Sequence, residues 1–477
     1  MSAPVRTRFA PSPTGFLHLG NVRTALLSAL AAQHADGAFV IRIEDTDATR
    51  SRPEWADALL DDLRWLGLEW AEGPDVGGPR GPYRQSERAA IYADYFDRLT
   101  DAGLTYPCFC TPEELAASRA AQRAAGQPPR YAGTCAGLAA DEVEAKLQKG
   151  LKPALRFRVP PGRELLFDDL VRGPQTFASD AIGDFVIRRA DGTPAFFFCN
   201  ALDDALMGIT HVLRGEDHLA NTPRQMLLLE ALDLVAPRYG HLGLLVGDDG
   251  TPLSKRHGSA SLRELREQGF LPGAVLNYLA RLGHHYADDP GYADVGALAA
   301  AFDFSRLGSS PAHFDADQLR HWQKEAVAHT SDEALWAWMS TAEPDVAALV
   351  PPADAGAFVH AVRDNVVRPH EARHWAQALY SEVAPGVEAR AAIVSAAPGF
   401  FEAALESLVP GAEFKSYVKQ LGAAAGVKGK QLYMPLRAAL TRETHGPELA
   451  RVWNLLGPDR IRTRLENALK LHANESR

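Results

Sequence analysis

Four cysteines in 477 residues are too few for a disulfide scaffold. No apolar run approaches the roughly 18 to 20 residues of a membrane span. The stretch behind Met1-Ser2-Ala3-Pro4-Val5-Arg6 has no apolar segment that could act as a signal peptide. Membrane insertion and secretion are therefore not expected, and a cytoplasmic address is. Neither a GxxxxGK[ST] nor a GxGxxG pattern occurs, so the usual nucleotide cradles are missing. No internal repeat or low-complexity tract is found. Positive charge is also in short supply: 50 Lys+Arg against 60 Asp+Glu leave a formal net charge of -10, unfavourable on its face for a nucleic-acid partner.

What is present is an ordinary globular composition, 46% hydrophobic and 23% charged. The length exceeds what one hydrophobic core usually serves, so several domains are expected. The charge is unevenly spread. Residues 411–477 hold twelve Lys/Arg against six Asp/Glu, a local excess that suits a phosphate backbone; a solvated helical surface is the other reading.

The first 75 residues alternate strand and helix. Val5 to Phe9 reads as a strand entering the turn Pro11-Ser12-Pro13-Thr14-Gly15, and Val22, Ala25, Leu26, Ala29 and Leu30 recur at helical spacing. Phe39, Ile41 and Ile43 alternate with Val40, Arg42 and Glu44 in a second strand, and a helix runs from Pro53 to Gly67. Such a rhythm with short links predicts a doubly wound parallel sheet. Residues 106–195 break it with a Cys pair, a charged helical stretch and short strands such as Ala154 to Val159, as an α+β insertion would. The pattern resumes with Ile209 to Leu213 and a helix behind Thr222-Pro223, with Thr222 as its cap. Ser261-Leu262-Arg263-Glu264 is a capping box and Gly269 a helix stop. Beyond about residue 325 an all-α part is expected.

Two segments carry chemistry. In Pro11-Ser-Pro-Thr-Gly-Phe-Leu-His-Leu-Gly-Asn21, a strand and a turn lead into a helix whose first N–H groups suit an anion. His18 and Asn21 lie three apart at that helix start and can reach one phosphate group, although a histidine there more often caps or packs. In Asp248-Asp-Gly-Thr-Pro-Leu-Ser-Lys-Arg-His-Gly258, glycines bound a loop where Ser254, Lys255 and Arg256 offer donors and charge for a triphosphate. A solvated basic turn is the alternative.

Together these segments resemble the HIGH and KMSKS signatures of class I aminoacyl-tRNA synthetases, in the form of the glutamyl/glutaminyl branch. The resemblance extends along the chain through Arg8-Phe-Ala-Pro-Ser-Pro-Thr-Gly15, Arg42-Ile-Glu-Asp-Thr-Asp47, Gly81-Pro-Tyr-Arg-Gln-Ser-Glu-Arg88, Leu206-Met-Gly-Ile-Thr-His-Val-Leu-Arg-Gly-Glu-Asp217 and Lys428-Gly-Lys-Gln-Leu-Tyr-Met-Pro-Leu-Arg-Ala-Ala-Leu-Thr441. It implies a glutamate–tRNA ligase using ATP with Mg2+, acting on L-glutamate and tRNA(Glu) as a monomer; whether tRNA(Gln) is also charged stays open. His18, Asn21 and Lys255 would be catalytic. Pro11, Ser12, Gly15, Gly20, Ser254 and Arg256 would join them around ATP. Arg8, Ser12, Glu44, Phe196, Asn200 and Arg214 match positions lining the amino-acid pocket, with Glu44 suited to an α-ammonium and the two arginines to carboxylates. Structural salt bridges are the alternative for each arginine. Pro252 replaces the first lysine of the loop signature, and Phe196 stands where the family often has tyrosine.

The resemblance also orders the domains: 1–105 and 196–258 as the two halves of a Rossmann-like catalytic domain, 106–195 as an acceptor-end-binding insertion, 259–325 as a stem-contact region and 326–477 as an all-α anticodon-binding region. Within the insertion, Cys108, Cys110 and Cys135 supply three thiolates for a structural zinc. Zinc-bearing relatives carry a histidine two residues after the third cysteine, where this chain has Gly137, and Tyr131 would be the fourth ligand. The other reading is three cysteines surviving from a lost site.

Overall fold

The computed structural model describes residues 4–47, 49–253, 261–409 and 411–475. Strand β1 (Arg6–Phe9) feeds the Pro-rich turn, and helix α1 (Leu19–His34) follows. Strand β2 (Ala38–Ile41) returns parallel to β1, pairing Arg8 with Val40. A run of small and branched residues makes α1 buried along most of its length: Val22, Ala25, Leu26, Leu30 and Ala31 are fully enclosed. The alternation from Phe39 to Glu44 does not separate core from solvent. All six residues are buried, as in a central strand covered on both faces, so the polar positions Arg42 and Glu44 face the interior of a site.

Helices α2 (Pro53–Trp65) and α3 (Ala89–Asp101) complete the first half. Gly67 ends α2 at φ 86°, as its sequence position implies. The expected insertion is an antiparallel sheet of β3 (Thr105–Cys108), β4 (Ala154–Phe157) and later β7 (Phe185–Arg188), with a separate hairpin of β5 (Glu164–Asp169) and β6 (Gly173–Ala178). Helices α4 (Pro112–Ala124), α5 (Ala140–Gln148) and the short α6 (Ser179–Ile182) fill the connections.

Helix α7 (Phe196–Leu206) leads into β8 (His211–Gly215), which pairs in parallel with β9 (Arg238–Leu242) across α8 (Thr222–Ala231). The Thr210 N–H donates to Arg6 O at 2.9 Å and sets β8 beside β1. This strand starts two residues later than Ile209. Gly208, at φ 64°, lets the Ile209 N–H close the end of α7 on Asp204 O at 2.8 Å, so Ile209 belongs to the helix cap. The parallel α/β architecture with an α+β insertion is the expected fold.

The chain separates into two compact units: Met1–Leu265 with Val275–Ala316, and Arg266–Ala274 with Asp317–Arg477. The second is helical throughout its described residues, from Ala316–His329 to Leu449–Glu475, the last broken at Gly457-Pro458. It begins at Asp317 and takes in one earlier segment. Residues 266–274 join it because Leu271 N–H donates to Gln323 Oε1 at 2.9 Å and Trp338 Nε1 to Gly269 O at 3.1 Å. Arg368 stacks 3.5 Å above the Phe270 ring. At Gly269, whose φ is 80°, a Cβ would lie 2.4 Å from Pro369 Cδ, so only glycine fits. No helix among the described residues is long and apolar enough to cross a membrane.

Candidate active site

The carboxyl ends of β1, β2 and β8 open on a cavity of about 450 Å³, the place where open α/β sheets hold ligands. Arg8, Pro11, Ser12, His18, Gly20, Asn21, Glu44, Phe196, Asn200 and Arg214 all line it; Gly15 does not. Ser254, Lys255 and Arg256 lie outside the described residues, although Pro252 and Leu253 reach the cavity wall.

His18 is the residue before α1 and Asn21 is in its first turn, both exposed. His18 O accepts the Asn21 and Val22 N–H groups at 2.9 and 3.0 Å, and its side chain makes no cap bond, leaving the imidazole for the cavity. On the opposite wall, α7 presents Phe196 and Asn200, and the same helix carries the buried Asp203 and Asp204 behind them. Asn200 is fixed at both ends: its Nδ2 donates to Glu44 Oε1 at 2.6 Å, and its Oδ1 accepts from Gln225 Nε2 at 2.7 Å.

Glu44 is buried, and burial raises its pKa above the ordinary 4.5 although Arg42, Asn200 and Arg8 pull the other way. Arg42 donates to the same Oε1 at 3.0 Å and, through Nη1, to Asp204 Oδ1 at 2.7 Å. Burial disfavours the Arg42 charge, but Asp204, Glu44 and Asp203 outweigh it and hold its pKa above the usual value. Asp203 looks away, accepting from Gln85 at 2.8 Å, Arg88 at 2.7 Å and Tyr92 at 2.8 Å.

The two pocket arginines differ in kind. Arg8 grips Asp204 with Nε at 3.1 Å and Nη2 at 3.3 Å, so the structural ion pair weighed as its alternative is present, and its charge is already answered. Among the described residues Arg214 has no carboxylate partner. Its Nε donates to His241 Nε2 at 3.0 Å and its Nη2 to Thr222 Oγ1 at 2.8 Å, both neutral acceptors, while buried Nη1 has no hydrogen bond to any described residue. Burial lowers its pKa to about 10, which still leaves it charged at neutrality. Thr222 is therefore not the cap expected of it: it is the first residue of α8, and its hydroxyl serves Arg214.

Arg42, Asp203, Asp204, Thr222 and His241 were not singled out from sequence as site residues. Two adjacent acids inside an otherwise apolar helix were the available signal for the aspartates, since unpaired buried charge is prohibitive.

In the insertion, the Cys108, Cys110 and Cys135 sulfurs lie within 4.8 Å of one another, and Cys110 and Cys135 are 3.7 Å apart. Tetrahedral zinc–thiolate bonds of about 2.3 Å would set sulfurs about 3.8 Å apart. The Tyr131 hydroxyl is 3.4 and 3.5 Å from Cys108 and Cys110 and accepts the Cys135 N–H at 2.9 Å. Without a metal, burial pushes the Cys110 thiol up to about 11.

The family model for tRNA synthetases class I (E and Q), catalytic domain, matches residues 4–321, and that for an anticodon binding domain matches 369–469. The chain belongs to the class I tRNA synthetases of this glutamate and glutamine group. It is 56% identical over 467 residues to glutamate–tRNA ligase 2 of Nitrosococcus oceani, covering 98% of each chain. It is 55% identical over 473 residues to glutamate–tRNA ligase 1 of Halorhodospira halophila, covering 99% of this chain and 98% of the other. The crystal structure of a glutamate tRNA ligase from Elizabethkingia meningosepticum in complex with its amino acid superposes with a TM-score of 0.88 at 30% identity, covering 98% of this chain and 99% of that one.

Proposed function

We propose that the chain is a glutamate–tRNA ligase, which joins L-glutamate to ATP as glutamyl-adenylate and passes it to the 3' end of tRNA(Glu). The observation that carries this is Arg214: among the described residues, a buried guanidinium at the cavity wall, hydrogen-bonded only to neutral partners and with one donor unused, is built to receive a carboxylate. Glu44, across the pocket, takes the α-ammonium, and Asn200 holds Glu44 in place. With both ends held, the α-carboxylate is the group left to attack the α-phosphorus of ATP. Diphosphate leaves, and a ribose hydroxyl of the terminal nucleotide then attacks the acyl carbon and releases AMP.

ATP, with Mg2+, lies against the start of α1, where the free N–H groups, His18 and Asn21 meet phosphate. Pro11, Ser12, Gly15 and Gly20 shape that turn, while Ser254, Lys255 and Arg256, outside the described residues, are assigned to the triphosphate. Lys255 acts as charge builds at the α-phosphate, a transition-state role rather than a grip. Arg8 acts chiefly by keeping Asp204 in place. Phe196 offers the substrate a ring face without a hydroxyl. Residues 106–195 receive the acceptor end, 259–325 the stem and 326–477 the anticodon. Cys108, Cys110, Cys135 and Tyr131 suit one structural zinc, which would tie the loops of the insertion together. The ligase is taken to be a cytoplasmic monomer.

Isotopic ATP–diphosphate exchange tests the reading. Exchange should require glutamate and rise strongly when tRNA(Glu) is added, because the acceptor end completes the site. Charging purified tRNA(Glu) and tRNA(Gln) side by side then gives the tRNA preference, which we place with tRNA(Glu). Exchange driven equally by other amino acids would overturn the assignment.

A further inference from the structure

Arg214 is aimed by a relay that begins outside the catalytic sheet. Asp169 ends β5, in the hairpin of the insertion, and Leu170 N–H donates to Tyr239 O at 2.8 Å to bring that end against β9. Asp169 Oδ1 accepts the backbone N–H groups of Val171, Arg172 and His241 at 3.0, 2.9 and 3.1 Å. Its Oδ2 lies 2.5 Å from His241 Nδ1.

The proton positions follow from the partners. A carboxylate held by four donors stays ionised, so Nδ1 of His241 carries the hydrogen it shares with Oδ2. Nε2 must then carry a lone pair, because the Arg214 Nε–H points at it from 3.0 Å and arginine can only donate. The Thr222 hydroxyl fits the same polarity: it accepts from Arg214 Nη2 at 2.8 Å and donates to Nε2 at 3.1 Å. All of these side chains are buried, and His241 is 0% exposed.

From this geometry we infer that Asp169 and His241 are positioning residues, which hold Arg214 in one orientation without neutralising it and so set the preference for a carboxylate over an amide. The inference rests on the reading of Arg214 as the partner of the substrate's side chain. A carboxylate at position 241 would orient the guanidinium equally well but would use up its charge. A neutral imidazole, polarised by Asp169 one step away, leaves the charge for the ligand. Arg214 lines the pocket and a guanidinium can only donate, so a carboxylate can meet it with either oxygen, whereas the amino group of a carboxamide cannot accept from it. Burial lowers the His241 pKa and Asp169 raises it, with burial prevailing, in keeping with a neutral ring.

Four variants separate the possibilities: Arg214→Ala, Asp169→Asn, His241→Gln and His241→Leu, each assayed by tRNA-stimulated exchange with glutamate and ATP varied in turn. Asp169→Asn turns an acceptor into a donor facing Nδ1 and reverses the tautomer, setting two N–H groups against each other at Nε2. It should raise KM for glutamate by about tenfold or more, as one buried unsatisfied donor implies. It should also narrow the margin over glutamine, and KM for ATP should stay within about twofold. His241→Gln can still donate to Asp169 and accept from Arg214, so it should lose much less than His241→Leu. If Arg214→Ala raises the glutamate KM but Asp169→Asn and His241→Leu do not, the relay is wrong. If Arg214→Ala itself leaves that KM unchanged, the reading of Arg214 fails first. Equal losses for ATP and glutamate with a lowered Tm would reduce the pair to a purely structural role. Nitrogen-15 shifts of His241 in the unmutated protein give an answer independent of folding: an Nδ1–H neutral ring supports the relay, and an imidazolium or Nε2–H ring overturns it.

Discussion

Arg42 and Asp204 are 162 residues apart in sequence and 2.7 Å apart in the fold, with side-chain exposures of 0% and 1%. The pair ties the segment leaving β2, which carries Glu44, to α7, which carries Asn200 and Phe196. Arg8 shares the same carboxylate, which therefore serves two guanidinium groups at once.

Removing that carboxylate should cost stability at neutral pH. Asp204→Asn leaves Arg8 and Arg42 buried beside a neutral amide, a loss of about 3 to 5 kcal/mol by analogy with other broken buried pairs. Burial pushes the Asp204 pKa up, but Arg8 and Arg42 outweigh it and hold it below the ordinary 3.8. For a carboxylate depressed in the folded state, the stabilisation is complete above the unfolded pKa and disappears as pH falls through the folded one. The deficit of the variant should thus be full at neutrality and shrink only in strong acid. Urea unfolding of the first unit at several pH values measures it; an unchanged midpoint at neutrality would show that the two arginines have other compensation.

Glu44 should give the glutamate affinity an acid limb. An α-ammonium needs the ionised carboxylate, and the Glu44 pKa lies above the ordinary 4.5 through burial. As pH falls from neutrality through that raised value, KM for glutamate should climb before the usual carboxylate range is reached, while KM for ATP holds. Glu44→Gln should have a high KM with no such limb. A profile in which the variant keeps the limb would move the ammonium to another partner.

Zinc content is the simplest of the tests. Protein purified without added metal should carry about one zinc per chain by elemental analysis, and Cys108→Ser should lose it. Stripping the metal should loosen residues 106–195, seen as faster amide exchange around Cys135. A metal-free preparation with full aminoacylation would show that the thiol cluster, 4.8 Å or less between sulfurs, needs no ion.

The catalytic fold was legible where it is local, whereas the residues of the pocket came from the family resemblance. Apolar spacing, the turn before α1 and the box at Ser261 each specify a few neighbouring residues, and the Ser261–Glu264 bonds form as expected, at 2.7 and 3.2 Å. Roles that depend on a distant partner were not. Arg8 and Arg214 look alike in sequence, yet one meets Asp204 and the other meets His241 and Thr222, and no spacing rule distinguishes them. Thr222 carries both the signal of a cap and the geometry of a ligand to arginine, and only the second is used. Asp169 sits in a segment that reads as a separate insertion, so its contact with His241, and through it with Arg214, is a property of the fold alone.

The return of residues 266–274 to the helical unit has a bearing on how the chain is made. On the ribosome, Gly269 emerges a hundred residues before Pro369, the ring that fills the space beside it. Phe270 and Leu271, 6% and 8% exposed once folded, must stay uncovered until Gln323, Trp338 and Arg368 have been synthesised. The loop to be closed is long, though closure entropy grows only slowly with length. The helical unit is thus encoded in two pieces, and a gene fragment starting at 317 would deliver it without the strip of chain that Gln323, Trp338 and Arg368 meet.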